Sequence, residues 1–307
     1  MVELEIRGSW RVSLPELSAL ATRSRGDGGT LELLAVGDKL CSISAGEAQP
    51  SVGDNLSGDL SDAVARWTWE PEGDSQWEGL AADGIGRAFV LQEHPGDEEQ
   101  PSHVFVFAPD LRERVGVIAL VVDGAGEEWG EAWSEDMNAR AEALALLRGG
   151  HLLVAKQKDP VRLIEFGPKG NRAAGLGSSR FLEEGEPFQC PPEEFAEYEV
   201  LHSWGVAKDG EDELRSVNDL AVFEGSLYAV SRESRLIARL EADVGPKEES
   251  VGVERSWPIQ ATVGQPEGLV VRSGLVPIVA DDVKSEEDRG GPNVFLLSDM
   301  ADPRAQS

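Results

Sequence analysis

Apolar residues in this chain come in bursts of four or five, and the bursts come in pairs. EGLAADGIGRAFVLQE (78–93), EALALLRGGHLLVAKQ (142–157), NDLAVFEGSLYAVSRE (218–233) and EGLVVRSGLVPIVADD (267–282) each place two bursts around a glycine-bearing turn. That is the signature of a β-hairpin. SALA at Ser18 starts a more degenerate fifth copy, stretched by the longer turn RSRGDGGT. A third run follows every hairpin: KLCSIS, HVFVFA, VRLIEF, RLIARL and NVFLLS. Such runs fit strands with one or both faces buried. A fourth run is ARWTWE at Trp67, RVGVIALV, YEVLHSWGV at Trp204 and VERSWPI at Trp257. The fifth unit lacks one, because NVFLLS leads into a polar tail, DPRAQS. The missing pattern stands at the N-terminus, in LEIRGSWRV.

The units start at positions 18, 78, 142, 218 and 267. Four short strands recurring at that spacing predict an all-β fold, a five-bladed β-propeller whose ring is closed by the N-terminal strand. Six blades are the alternative, with the extra one in 167–217. That stretch reads better as an insertion, with a short helix at 191–197. One propeller domain over 1–300 and a disordered tail over 301–307 complete the expected organisation.

The repeats also align polar residues. Glu78, Glu142, Asn218 and Glu267 form one column, and Glu93, Gln157, Glu233 and Asp282 follow them by fifteen residues each. In a propeller the first strand of each blade lines the channel and the second runs back. The start of one and the end of the other therefore share a face. The first column should ring the channel mouth, with Glu93, His94, Lys156, Lys158, Arg232, Glu233, Asp281 and Asp282 one step outward. Three glutamates at one opening repel one another. Three arrangements relieve this. Each Glu can tie backbone amides of the next blade; Lys156, Lys158 and Arg232 can pair with them; or a hard cation such as calcium can take Glu78, Glu142, Asn218 and Glu267 as oxygen ligands. Only four histidines exist, which disfavours a softer metal. Glu93, His94 and Glu233 are the candidate bases. Trp129 and Trp133, with Lys156, Arg232 and Asp282, are candidates for a ligand rim; the two tryptophans can equally pack their loop down.

Net charge is −29, from 57 acidic and 28 basic residues. A surface of that sign repels nucleic-acid backbones and anionic membranes and attracts cations. Partners are therefore expected to be a small molecule or peptide at the mouth of a monomer or small oligomer. The N-terminus has no signal-peptide pattern and no segment is apolar enough to span a bilayer. Cys41 and Cys190 form no CxxC motif and are expected buried and reduced, as in the cytoplasm. No GxSxG, HExxH or phosphate loop is present.

NARAEALALLRGGHLLVAKQKDPVRLIEF, SVNDLAVFEGSLYAVSRESRLIARL and PEGLVV…VADD…NVFLLS resemble the repeat of the SdiA-regulated propellers and the related esterase-like, phytase-associated propellers. The resemblance runs over 138–299 and is weaker over 1–120, and NHL-type repeats share part of it. It implies a bacterial β-propeller, with calcium and hydrolase activity suspected in relatives. The gluconolactonase and paraoxonase propellers offer an analogy at the level of fold. They hold a catalytic calcium with Glu, Asn and Asp, and Glu78, Glu142, Asn218 and Glu267 are placed like that set. Metal-assisted hydrolysis of an ester, lactone or related substrate is thus one expectation; a non-catalytic binding or scaffold propeller is the other.

Overall fold

A computed structural model describes residues 3–24, 31–47, 57–59, 64–65, 74–95, 100–122, 130–131, 133, 140–182, 185–207, 214–284 and 291–300. The chain enters as β1 (Ile6–Arg11), whose main partner comes last. The first antiparallel set is β2 (Leu17–Ser24), β3 (Leu31–Gly37), β4 (Leu40–Glu47) and, after the short β5 (Ser57–Asp59), β6 (Val64–Ala65). The second set is β7 (Trp77–Ala82), β8 (Ala88–Gln92), β9 (Ser102–Phe107) and β10 (Arg114–Val121). The third is β11 (Ala143–Leu147), β12 (His151–Lys156), β13 (Arg162–Pro168) and β14 (Phe195–Val206). The fourth is β15 (Asp219–Phe223), β16 (Ser226–Ser231), β17 (Leu236–Leu240) and, past β18 (Ser250–Val251), β19 (Val253–Pro258). The last is β20 (Pro266–Arg272), β21 (Val276–Asp281), β22 (Val294–Leu297) and β1.

The fold is a β-propeller. Each innermost strand touches the next: β2 to β7, β7 to β11, β11 to β15, β15 to β20, and β20 back to β2. Five apolar clusters fill the gaps between neighbouring sets. Phe89 and Leu91 meet Leu144 and Val154 in one gap, for example, and Leu17 and Leu33 meet Val270 and Ile278 in another. Strands clamped between two such layers have both faces dry, and every residue of β8 and β12 is buried. Their central apolar runs, Ala88–Leu91 and Leu152–Ala155, follow from that. Each fully buried Leu, Val or Phe contributes about 1.5–3 kcal/mol. Trp10, Trp204 and Trp257 lie in these layers, as the fourth-run pattern implies. Trp67 lies outside the described residues.

The N-terminal strand closes the last set as expected. Trp10 pairs with Val294 and Ser9 with Phe295, antiparallel. Asn293 locks the end: its Oδ1 accepts the Val12 N–H at 2.8 Å, and its Nδ2 donates to the Val12 carbonyl at 2.9 Å.

The stretch 167–217 differs from expectation in one respect. Residues 191–197 are not helical, because β14 begins at Phe195. Phe195–Glu199 pairs in parallel with β10 of the preceding set, which takes up the backbone groups a helix would have paired internally. No further four-stranded set occurs among the described residues of this stretch; the segment between β13 and β14 is inserted within the third set. Leu176 bridges to Val244, Phe181 to Leu147, and the Gly84 N–H donates to the Glu186 carbonyl at 2.7 Å. The insertion thus crosses the end of the channel reached by the first strands. Gly84 allows the crossing: a Cβ there would stand 2.0 Å from the Gly185 carbonyl carbon. No helix among the described residues is long and apolar enough to cross a membrane. Residues 301–307 lie outside the described residues.

Candidate functional site

Each innermost strand begins at one face of the ring and each second strand ends there. Glu78 stands on β7, Glu142 just before β11, Asn218 just before β15, and Glu267 on β20. Glu142, Asn218 and Glu267 are buried and Glu78 is half-buried. Ser18, the start of the fifth unit, stands near Glu78 and lowers the proton affinity of its carboxyl. The column predicted from the repeats does converge on one mouth.

Crowding shows in the proton affinities. Burial, then the charge of Asp38, raises the Glu78 carboxyl to about 7. Burial also pushes Glu142 well above the usual carboxylate range, helped by Glu78, Glu93 and Glu267 and opposed by Arg232. Glu267 is raised in the same way, first by burial and then by Asp282, with Arg232 opposing. Removing carboxylates from water while facing them toward one another produces this direction of shift.

Arg232 forms an ion pair with Glu267, so one of the three relief arrangements is present. Asp282 is buried and pairs with Lys284 at 3.2 Å. Lys156 is buried too, and its Nζ donates to the carbonyls of Lys158 and Asp159. Glu93 is buried, accepts the Arg140 N–H at 2.8 Å and lies near enough to Glu142 to raise it; His94 is buried beside it. Asp281 is structural, accepting the N–H groups of Gly264 and Gln265 at 3.0 and 2.5 Å.

Two expected members lie elsewhere. Glu233 is exposed: it follows the end of β16, and only its backbone N–H reaches the Ser216 hydroxyl, at 3.3 Å. Trp133 is not on the rim. It is buried 6.2 Å from Phe166, ring to ring, in the layer between the second and third sets. The packing alternative for this residue holds, since an indole gains more from a dry layer than from a wet rim. Trp129 lies outside the described residues.

The calcium arrangement does not fit these residues as they stand. The Asn218 Oδ1 accepts the Arg232 N–H at 2.9 Å and the Ser216 hydroxyl at 2.7 Å. Its amide therefore turns Nδ2, a donor, away from both, and that nitrogen is buried without a partner. A cation needs the oxygen. Glu267 is engaged by Arg232, and among the described residues no three His, Cys, Asp or Glu side chains close on one point as metal ligands do. Among the described residues, the buried Gln157 Oε1 and Asp282 Oδ1 of the second column also lack partners, as does Asp38 Oδ1 near Glu78. A mouth with several idle acceptors, one idle amide donor and a carboxyl cluster suits a polar ligand that donates hydrogen bonds.

One residue escaped the column reading. Asp219 is fully buried and points across the axis. Its carboxylate accepts the N–H groups of Leu220 and Leu269 at 2.8 Å and of Leu20 at 3.3 Å, joining three innermost strands. The equivalent position in the other units holds Ala19, Gly79, Ala143 and Gly268. A Cβ on Gly268 would stand 3.0 Å from the Leu20 nitrogen, so the inner strands meet too closely for larger side chains. A lone Asp in a column of small residues was the available signal.

Comparison with known proteins assigns no family. No family model and no curated protein matches the sequence. Among solved structures, glutaminyl cyclase from Myxococcus xanthus is similar over 98% of this chain and 97% of its own, at 14% identity and a TM-score of 0.47. The soluble aldose sugar dehydrogenase from Escherichia coli is similar over 97% and 99%, at 12% identity and 0.45. A virginiamycin B lyase from Staphylococcus aureus is similar over 96% and 99%, at 10% identity and 0.43. At these identities no chemistry is carried over from them.

Proposed function

We propose that this chain is a single five-bladed propeller whose carboxyl-lined mouth binds a cationic small molecule or peptide amine. The observation that carries the reading is the convergence of Glu78, Glu142 and Glu267 from three blades, with Arg232 as the counter-ion of Glu142 and Glu267 and Lys39 acting on Glu78. An ammonium group entering the cluster would supply the missing positive charge and donors for Gln157 Oε1 and Asp282 Oδ1. A carbonyl beside it would meet Asn218 Nδ2. Because the Glu78 carboxyl is raised to about 7, binding a cation expels its proton and strengthens as pH rises through about 7. The resemblance to the SdiA-regulated and esterase-like propellers is compatible with this reading, as are two free thiols, Cys41 and Cys190, with a reducing cytoplasm.

Thermal melts with putrescine and lysine amide test it. Both should raise Tm at pH 8 and do less at pH 6, and the gain should vanish in Glu142→Gln. A rise with calcium, reversed by EDTA, and none with either amine would replace this reading with the calcium one.

A second reading rests on Glu78. A carboxyl poised at about 7 beside further ionisable carboxyls can give and take a proton in hydrolysis of an ester or lactone. Turnover of an aryl ester or lactone should then change about tenfold or more across pH 6–8 and collapse in Glu78→Gln. A catalytic rate indifferent to that substitution removes the hydrolase.

A further inference from the structure

The opposite end of the channel is a separate chamber. It occupies about 730 Å³ below the level at which Asp219 joins the strands. Leu20, Leu80, Leu144, Leu220 and Leu269 form its ceiling, and Phe181 and Leu182 of the insertion form part of one wall. Its volume lies within the range of pockets that hold drug-sized ligands.

Four charged residues line the chamber, and three are accounted for. Arg23 Nε donates to Glu32 at 2.6 Å, and its Nη1 donates to the carbonyls of Gly86 and Pro109. Asp83 holds Arg87 through two bonds, of 2.9 and 2.6 Å. Glu224 is exposed at the β15–β16 turn. Arg272 remains. It ends β20, is half-buried, and its Nη1 is fully covered with no hydrogen-bond partner among the described residues. Burial lowers its proton affinity, and no acid among the described residues compensates. A covered guanidinium nitrogen without an acceptor is costly, and its fork geometry matches a carboxylate. Strand alternation adds donors. The Leu20 and Leu269 N–H groups face the axis, so those of Thr22 and Val271, two residues on, face the chamber.

We propose that this lower chamber is a binding site for a small molecule with one carboxylate and an apolar body. Arg272 takes the carboxylate, and the leucine ceiling and Phe181 take the body. A net charge of −29 selects against polyanions here and favours a single negative charge. Arg272 stands at the far end of β20 from Glu267, so the site is independent of the upper mouth.

Calorimetric titration of the full chain with 4-phenylbutyrate tests this, with 4-phenylbutanol as the neutral match and inorganic phosphate as the polyanion. Phenylbutyrate should bind at least about tenfold more tightly than the alcohol, and Arg272→Gln should abolish that difference. Glu142→Gln should leave it intact, which separates this site from the upper one. If Arg272→Gln fails to fold, Arg272→Lys serves: it keeps the charge, loses the fork and should weaken binding severalfold. Equal binding of acid and alcohol, no binding of the acid, unchanged affinity in a folded Arg272 variant, or binding of phosphate in preference to phenylbutyrate each overturns the proposal.

Discussion

The two ends of one channel solve opposite problems. At the upper end carboxyl groups from several blades are pressed together, hold their protons more tightly, and in the case of Glu267 pair with Arg232. At the lower end leucines form the ceiling, and one guanidinium, that of Arg272, carries a nitrogen with no partner among the described residues. Both ends belong to the same innermost strands, separated at the level of Asp219 by a single side chain. The lesson is that a repeat need not repeat its chemistry. A strand displays one set of residues at its start and another at its end, so one ring offers two unlike sites.

The comparison breaks most completely if the ring opens. Deleting residues 1–12 removes the strand paired with β22 and the Asn293 lock, exposing the edge of β22. A loss exceeding about 5 kcal/mol is expected, enough to abolish a cooperative melt by circular dichroism. A truncated chain that melts like the full one would show that the ring does not depend on its clasp.

Asp219→Ala comes next. It strands three axial N–H groups and should cost about 2–4 kcal/mol in urea unfolding, and Asp219→Asn clearly less, since its amide oxygen still accepts. Equal costs for the two would mean the carboxylate is not the pin described.

The upper mouth then has a pH signature. Folding raises Glu78 from its ordinary 4.5 to about 7, so the folded state holds the proton more tightly. Its stabilising contribution is complete below about pH 4.5 and is lost as pH rises through 7. Glu142 and Glu267 act in the same direction. Tm should therefore fall by several degrees between pH 5 and pH 8, and a Glu78→Gln, Glu142→Gln double variant should lose much of that slope. A flat profile in the parent chain would count against a crowded mouth.

The smallest effect is at the lower end. Without ligand, Arg272→Leu should stabilise by about 1 kcal/mol, because a covered, uncompensated charge is replaced by an apolar chain of the chamber's own kind. A loss of stability would mean that Arg272 has a partner in the folded chain.

Much of this was legible before any coordinates. The hairpin copies, the order of four strands and the completion of the last set by LEIRGSWRV follow from apolar spacing, because a buried strand must repeat its dry positions wherever the layer repeats. The acidic column was legible for the same reason. Glu233 shows the limit: it shares a column with the buried Glu93 and Asp282, yet a turn after β16 leaves it exposed. Spacing locates a residue along a strand but not the path of the chain after the strand ends. Trp133 shows another limit, since its surroundings are assembled from two different sets.

The sequence by itself determined the β-strands, their grouping by fours, the N-terminal closure and the gathering of Glu78, Glu142, Asn218 and Glu267 at one end, because all of these follow from local periodicity repeated around an axis. The tertiary structure alone decided which way the Asn218 amide faces, that Arg232 takes Glu267, that Asp219 joins three strands across the axis, and that Arg272 borders a leucine-ceilinged chamber. Those outcomes depend on distances between groups far apart in the chain, which close packing sets and no local pattern encodes.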